Sequence, residues 1–372
     1  MDDACNGGID FCFLSDYFRA RMRYLFYLGH PAHFHLFREV IPMLRNAGHD
    51  AKVLIKKKDV LEQLLKDSGW EYTNVMAGER GNSKFRIALG LLKRDFAILK
   101  FASRFKPHLM VGTSVEISHV GKLLGIPSIN VNEDDAAAVP LFAKMGYPFA
   151  TKILAPECCN CGKWNYKKIA HNSYHELAYL HPNYFKPNES VREKYGLGKK
   201  YFILRFAQLN AHHDKGRKGI TDEIAEHIIS LLSPAGNVFI TSERKLEPRF
   251  EKYRIAIPPL EIHNALYYAT MYIGDSQTMA AEAAVLGTPS LRFNDFIGEL
   301  GYLEELEHSF GLTYGIKTMH PEKLFSKISE LLAMPDVKGK WTEKRNQLLN
   351  ERDDFSKVML NVFTDFQSIN SE

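Results

Sequence analysis

Cysteine is scarce in this chain, with five in 372 residues. So few thiols do not build a disulfide framework, and the composition fits a reducing, cytoplasmic compartment. Long apolar runs are missing as well. None approaches the roughly 20 residues that a membrane-spanning helix requires. Neither charge sign dominates: 48 Lys and Arg face 44 Asp and Glu, a formal net charge of +4. That balance is too mild to imply nucleic acid as a partner, and no recognition motif for one is evident. No fixed-period repeat appears. Residues 1–21 carry Asp2, Asp3 and Asp10 but neither a basic start nor a long apolar core, so they make a poor signal peptide. They read as an extension outside the fold, with Met22 the expected start. Cys158, Cys159 and Cys161, followed by His171 and His175, are spaced more tightly than ordinary zinc-finger ligands. No metal site is expected.

The chain is 45% hydrophobic and 25% charged, an ordinary globular composition. Its length favours two domains. Strands are expected at Tyr24–Leu28, Ala51–Ile55, Trp70–Val75, Leu109–Val111 and Gly125–Val131. Between them, helices are expected at Phe34–Ala47, Val60–Ser68, Phe85–Phe105 and Ile117–Leu124. Pro156–Pro187 is rich in Asn, His, Tyr and Pro without clear periodicity and reads as a connection. A second series has strands at Tyr201–Phe206, Asn237–Thr241 and Met271–Ile273, with another opening at Ser290. Its helices are expected at Ile220–Leu232, Leu260–Tyr268, Phe325–Met334 and Trp341–Phe366. Repeated βα units imply parallel sheets with helices on both faces. The expected organisation is an amino-terminal Rossmann-like domain over 22–165 and a connection over 166–195. A carboxyl-terminal Rossmann-like domain follows over 196–345, then a final helix over 346–372 that packs back on the first domain. Two such α/β domains leave a central cleft, the usual place for a substrate.

The most informative stretch runs from Tyr272 to Ser290. A strand end enters Gly274-Asp275-Ser276, a helix carries Thr278 near its start and Glu282 one turn on, and Gly287 and Pro289 stop it. A helix start at the end of a parallel strand offers free N–H groups and a positive dipole end to an anion. Glu282 suits vicinal hydroxyls such as those of a ribose. A nucleotide diphosphate joined to a sugar fits this pattern.

Other strand ends add chemistry. Gly29 to His35 holds His30, His33 and His35 at a strand-to-helix turn. A histidine near neutrality takes a proton from a sugar hydroxyl, and His33 is the first candidate; helix capping or core filling is the plain alternative for the others. Arg205 ends a strand ahead of His212-His213-Asp214. There Arg205 suits a phosphate and His213 an acid, unless the loop is merely solvated. Thr241-Ser242-Glu243-Arg244 follows the next strand, with Ser242 and Arg244 as donor-side candidates or an exposed turn. Asn132, Glu133 and Asp134 end a strand of the first half, and Thr113 ends its neighbour. They suit base or hydroxyl-binding roles, or helix starts. Lys84–Lys106 interleaves Lys93, Arg94, Lys100 and Arg104 with apolar residues. Such a helix either contacts an anionic membrane surface peripherally or buries its apolar face.

Taken together, the residues of Gly29–Gly48, Tyr174–Tyr179, Phe202–His213 and Gly274–Pro289 resemble the GT-B superfamily of glycosyltransferases and UDP-GlcNAc 2-epimerases. Within it the chain is most similar to the domain of unknown function 354 family. The resemblance covers nearly all of Met22 to Phe366 and implies two Rossmann-like domains facing a cleft. Ala32-His33-Phe34 looks like the Gly-His-Val segment of the transferase that adds GlcNAc to the lipid-linked peptidoglycan precursor, without its full glycine run. That resemblance implies His33 as base or acceptor-site residue and Glu282 on the ribose. His212 or His213 sits where the 2-epimerase has its Gly-His-Arg-Arg-Glu segment, though Arg-Arg-Glu is absent here; Glu133 and Asp134 loosely echo its acids.

The expectation is therefore a metal-independent glycosyltransferase with a UDP-linked nucleotide-sugar donor, acting in cell-surface polysaccharide or glycolipid synthesis. Its catalytic candidates are His33, His213 and Glu133. Donor candidates are Arg205, Ser242, Arg244, Asp275, Ser276, Thr278 and Glu282. Acceptor-side candidates are His30, His35, Thr113 and Asn132, facing an unknown sugar or lipid-linked acceptor. No cofactor is expected beyond the nucleotide-sugar substrate. The alternatives are a 2-epimerase-like enzyme and a non-catalytic nucleotide-sugar-binding protein.

Overall fold

A computed structural model describes residues 21–56, 60–76, 84–207 and 218–366. In the first half, β1 (Arg23–Leu28), β2 (Asp50–Lys56), β3 (Thr73–Met76), β4 (Leu109–Gly112), β5 (Ser128–Val131), β6 (Lys152–Pro156) and β7 (Lys168–His171) form one sheet. Their order is β3-β2-β1-β4-β5-β6-β7, and every pairing is parallel. The helices of this half are α1 (Pro31–Phe37), α2 (Val40–Asn46), α3 (Leu61–Asp67), α4 (Lys84–Phe105), α5 (Val115–Leu124) and α6 (Pro140–Gly146). The second sheet contains β8 (Tyr201–Phe206), β9 (Asn237–Ser242), β10 (Met271–Gly274), β11 (Ser290–Phe293) and β12 (Thr313–Ile316). It is also all parallel, in the order β12-β11-β10-β8-β9. The helices that follow in the chain are α7 (Ser190–Lys194), α8 (Asp222–Leu232), α9 (Ile262–Tyr268), α10 (Gln277–Val285), α11 (Gly301–His308), α12 (Pro321–Ala333), α13 (Val337–Glu351) and α14 (Phe355–Thr364).

The strands are continuous apolar runs because helices cover both faces of each sheet. Tyr24 to Leu28 and Tyr201 to Leu204 are buried throughout. Phe26 packs against Phe37 of α1 at a centroid distance of 5.3 Å and against Phe363 of α14 at 6.0 Å. The last helix thus lies on the first sheet. By contrast α13 is fixed to the second sheet, where Trp341 donates its indole N–H to Leu312 O at 2.9 Å.

Several expected elements are divided or displaced. The helix expected over Phe34–Ala47 is two helices. Pro42 has no N–H to give the Arg38 carbonyl and its ring crowds that group, so the chain breaks at Arg38–Glu39. Trp341–Phe366 also divides, because Asp354 caps a new helix by accepting the Lys357 N–H at 3.3 Å. Trp70–Val75 contains a strand that begins at Thr73 and runs on to Met76. Lys168–His171 lies inside the irregular stretch read as a connection, yet it is the edge strand β7, paired with β6. Only His171 of its four residues is buried, so no apolar pattern marks it.

Candidate functional site

Each sheet reverses its winding direction beside its first strand. The chain adds β2 and β3 on one side of β1, then returns to add β4 on the other. In the second sheet β9 flanks β8 on one side and β10 on the other. Open parallel sheets bind ligands outside the carboxyl ends of their strands at such reversals. Here both reversals open on one cavity of about 890 Å³. Gly29 and His33 follow β1, Thr113 and Ser114 follow β4, Ala207 follows β8, and Asp275 to Thr278 follow β10; all line that cavity. The strand pairs are held close by small residues. A Cβ on Gly112 would lie 2.9 Å from Tyr27 O, and one on Gly274 would lie 2.9 Å from Cβ of Arg205.

On the second-sheet side the wall is the start of α10. Ser276 is its N-cap, accepting the Met279 N–H on Oγ at 3.4 Å. Thr278 is exposed to the cavity, and Oε1 of Gln277 is buried without a partner. The first N–H groups of the helix have no partner within it and point a positive dipole end at this wall. Asp275 behind them is buried and accepts N–H from Ala207 at 2.6 Å and from Ile220 at 3.2 Å. Burial lifts its carboxyl to about 6, against the pull of those two donors.

The remaining donor candidates lie elsewhere. Glu282 is buried and does not line the cavity. Its Oε1 accepts the Tyr179 hydroxyl at 2.8 Å and lies 3.0 Å from Nε2 of His263. Arg205 pairs with Glu243. Ser242 Oγ closes a turn, donating to Arg244 O at 2.7 Å and accepting its N–H at 3.2 Å. Arg244 donates to Ile220 O and stacks over Phe206 at 4.9 Å. None of these three lines the cavity among the described residues. His213, with His212 and Asp214, falls outside the described residues.

The three histidines of the first turn separate. His30 is exposed and caps α1, its Nδ1 accepting the Ala32 N–H at 3.2 Å. His33 lines the cavity. Its Nδ1 accepts the Gly29 N–H at 3.1 Å, and Thr113 Oγ1 lies across the ring, 2.6 Å from Nε2 and 2.9 Å from Nδ1. His35 faces away from the cavity into the core. It packs edge-on to His263 at 4.9 Å and near Tyr179 at 5.3 Å. Burial, then the neighbouring His263, pushes it well below the usual histidine range. The helical period explains the split between His33 and His35, because positions two apart on a helix of 3.6 residues per turn point to opposite sides.

The floor comes from the end of β5 and from a 3₁₀ turn at His175–Ala178. Asn132 lines the cavity, donating to Tyr147 Oη at 2.5 Å and to Asp134 O at 3.0 Å. Glu133 Oε1 lies 3.3 Å from Nδ1 of His175, and Oε2 accepts the His175 backbone N–H at 3.2 Å. Burial, then the Asp134 charge, lifts Glu133 well above the usual carboxylate range. Glu176 is raised in the same way, by burial and then by Glu133, and its Oε2 has no partner. His175, Glu176, Tyr179 and Tyr302 all line the cavity. No local pattern in the sequence gives Glu176, Tyr179 or Tyr302 a role, and the spacing of His175 bears only on a metal site, although Tyr174–Tyr179 is among the segments that carry the family resemblance. Glu116 was passed over, and Arg94 was named only among the basic residues of the Lys84–Lys106 helix, whose exposed face it does not join. They form a buried ion pair at 2.5 Å on the cavity wall. Cys159 is buried and donates to Glu133 O at 2.9 Å. No group of three or more potential metal ligands occurs among the described residues.

Two all-parallel sheets whose carboxyl ends share one cleft make this a GT-B fold. The chain belongs to the family described as protein of unknown function (DUF354), whose sequence model matches residues 26–296. Among solved structures, the S. aureus MnaA–UDP co-structure is 13% identical with a TM-score of 0.67, covering 94% of this chain and 98% of that one. The UDP-GlcNAc 2-epimerase of Neisseria meningitidis bound to UDP-GlcNAc is 15% identical with a TM-score of 0.63, covering 93% and 100%. Spinosyn forosaminyltransferase SpnP is 14% identical with a TM-score of 0.60, covering 95% and 100%. At such identities the likeness is one of fold, and function has to be argued from the site. No curated protein matches the chain in sequence.

Proposed function

We propose that the protein is a nucleotide-sugar enzyme that transfers a glycosyl group from a UDP-linked donor to a sugar or lipid-linked acceptor in cell-surface polysaccharide or glycolipid synthesis. The observation that carries this reading is the shared cavity at the two winding reversals, with the start of α10 on one side and His33–Thr113 on the other. In this reading Ser276, Gln277 and Thr278 hold the diphosphate. Their N–H groups stabilise the charge that develops on it as the anomeric bond breaks, a role that requires no metal. His33 and Thr113 face the acceptor side, and Asn132 and Glu133 bound the sugar from below. Relatives in fold that carry UDP or UDP-GlcNAc in their structures support the choice of nucleotide. Leu92 and Phe96 of α4 are 64% and 67% exposed among Lys93 and Lys100, which supports peripheral contact of this helix with an anionic membrane surface. Among the described residues no helix is long and apolar enough to cross a membrane.

A second reading, 2-epimerisation of the donor sugar, is favoured by Glu133, His175 and Glu176 on the cavity floor, since moving a proton on the sugar itself needs acid and base groups beneath it. The test is a thermal-shift screen of the full chain against UDP, GDP, CMP, dTDP and their common sugar conjugates, with adenine and nicotinamide nucleotides as controls. A ligand at 100 times its dissociation constant adds about 2.7 kcal/mol to stability. A midpoint shift confined to uridine nucleotides supports the reading, and no shift with any nucleotide sugar sinks it. With a donor in hand, incubation without acceptor separates the two chemistries, because only epimerisation changes the sugar alone.

A further inference from the structure

We propose that His175 is the proton-transfer residue of this cavity and that Glu133 is its positioning partner. The proposal rests on the nucleotide-sugar reading and deepens it by naming the base.

The geometry separates His175 from the other histidines. Glu133 holds it twice, through its backbone N–H at 3.2 Å and at Nδ1, 3.3 Å away. On its flank the ring lies nearly parallel to Phe355, at 11° and 5.5 Å between centroids. The ring is therefore fixed in orientation by a carboxylate at one nitrogen and an aromatic face at its side. Its other nitrogen, Nε2, is buried and has no hydrogen-bond partner, while the residue lines the cavity. A buried polar atom without a partner costs free energy, and a ligand hydroxyl in the cavity would remove that cost. His33 is different. Gly29 N–H already occupies its Nδ1, and Thr113 Oγ1 lies within 2.6 Å of Nε2. A base needs a lone pair that no protein donor already occupies, and of the two described histidines that line the cavity, His33 and His175, only His175 has one at Nε2.

The step balances as follows. Glu133 acts in its ionised form, which is populated only as the pH rises through its raised titration range; it accepts from Nδ1–H, and the Nε2 lone pair accepts the proton of a ligand hydroxyl. The Nδ1 proton passes to Glu133, so both groups end neutral, the forms that burial favours. The hydroxyl oxygen forms a bond to the anomeric carbon, and the bond from that carbon to the diphosphate breaks with its electron pair going to the diphosphate. Such a carboxylate–imidazole pair fixes the tautomer and orientation of the base. The charged or titratable groups around the ring are Asp134 and Glu133 from the end of β5, Glu176 beside it and His171 from β7.

UDP-GlcNAc and the full-length chain are the materials for the test. Binding is read by calorimetry, and His175 is followed by side-chain ¹⁵N NMR, assigned with His175→Gln. The Nε2 resonance of His175 is expected to move when the probe binds, and Glu133→Gln is expected to shift the Nδ1 resonance before any probe is added. His175→Gln should lower turnover at least ~100-fold with KM changed less than about threefold, the range for loss of a general base. Glu133→Gln, nearly the same shape, should retain the fold and lower kcat while displacing the pH profile. An Nε2 resonance unmoved by bound probe overturns the proposal, and so does full turnover in a folded His175→Gln protein; both leave the nucleotide-sugar reading standing. If neither UDP nor UDP-GlcNAc binds the parent protein, that reading fails and takes the proposal with it.

Discussion

Tyr179 donates its hydroxyl to Glu282 across 2.8 Å, joining the segment that follows β7 to the helix whose start walls the cavity. His263 contacts the same carboxylate oxygen at 3.0 Å, and His35 packs against both His263 and Tyr179. Residues from both halves of the chain thus meet in one buried polar group beneath the cleft. The carboxylate that the sequence suggested for a ribose is one of its central members.

Removal of that carboxylate should act first on stability. Glu282→Ala leaves a phenol and an imidazole buried without their partner, at a cost of about 1–3 kcal/mol for each such group. Tyr179→Phe removes one donor and should cost less. Urea unfolding of both variants checks the order, and a Glu282→Ala protein as stable as the parent would show that the network carries no energy.

The Arg94–Glu116 pair is enclosed, with side chains 9% and 7% exposed. Breaking it by Glu116→Ala should cost about 3–5 kcal/mol, because a largely buried guanidinium is left without its partner. Replacing both residues by apolar ones of similar size should cost less than either single change. A double-mutant cycle reads the coupling directly.

His171 offers a test in the opposite direction. Both its ring nitrogens are buried without partners, and the ring stacks on Phe355 at 4.2 Å. Burial pushes the imidazole well below the usual histidine range. The native state therefore resists a proton that the unfolded chain binds, so stability is full above about pH 6.5 and falls as the solution is acidified below it. His171→Phe removes that loss while keeping the stack. Its melting temperature should exceed the parent's, and the gap should be wider at pH 5 than at pH 7.5. An equal gap at the two pH values would refute the linkage.

Thr278 tests the anion wall without disturbing the fold, since it is exposed at the start of α10. A carboxylate there favours the helix dipole by itself but repels a diphosphate. Thr278→Glu should raise the dissociation constant for UDP at least ~10-fold, while melting within about 2 °C of the parent. Undiminished UDP affinity would move the diphosphate away from this helix.

Local sequence determined the repeating βα units, because short apolar runs bounded by Gly and Pro have few other uses. It also marked the strand ends that carry cavity-lining groups: Gly29–His33, Gly112–Thr113, Asn132–Glu133 and Gly274–Thr278. These follow from rules that act within a few residues. Tertiary structure alone decided which of those groups meet and which way each one points. His33 turns to the cavity while His35, two residues on, enters the core, because the helix they share presents its residues on different faces. Glu282 follows Thr278 on α10 yet ends beneath the floor, held by Tyr179 and His263 from other elements. His175 lies in a stretch with no periodic pattern, and only the placement of Glu133 and Phe355 beside it gives its ring an orientation. Strand pairing and helix packing over long sequence separations set these relationships, and no local preference along the chain encodes them.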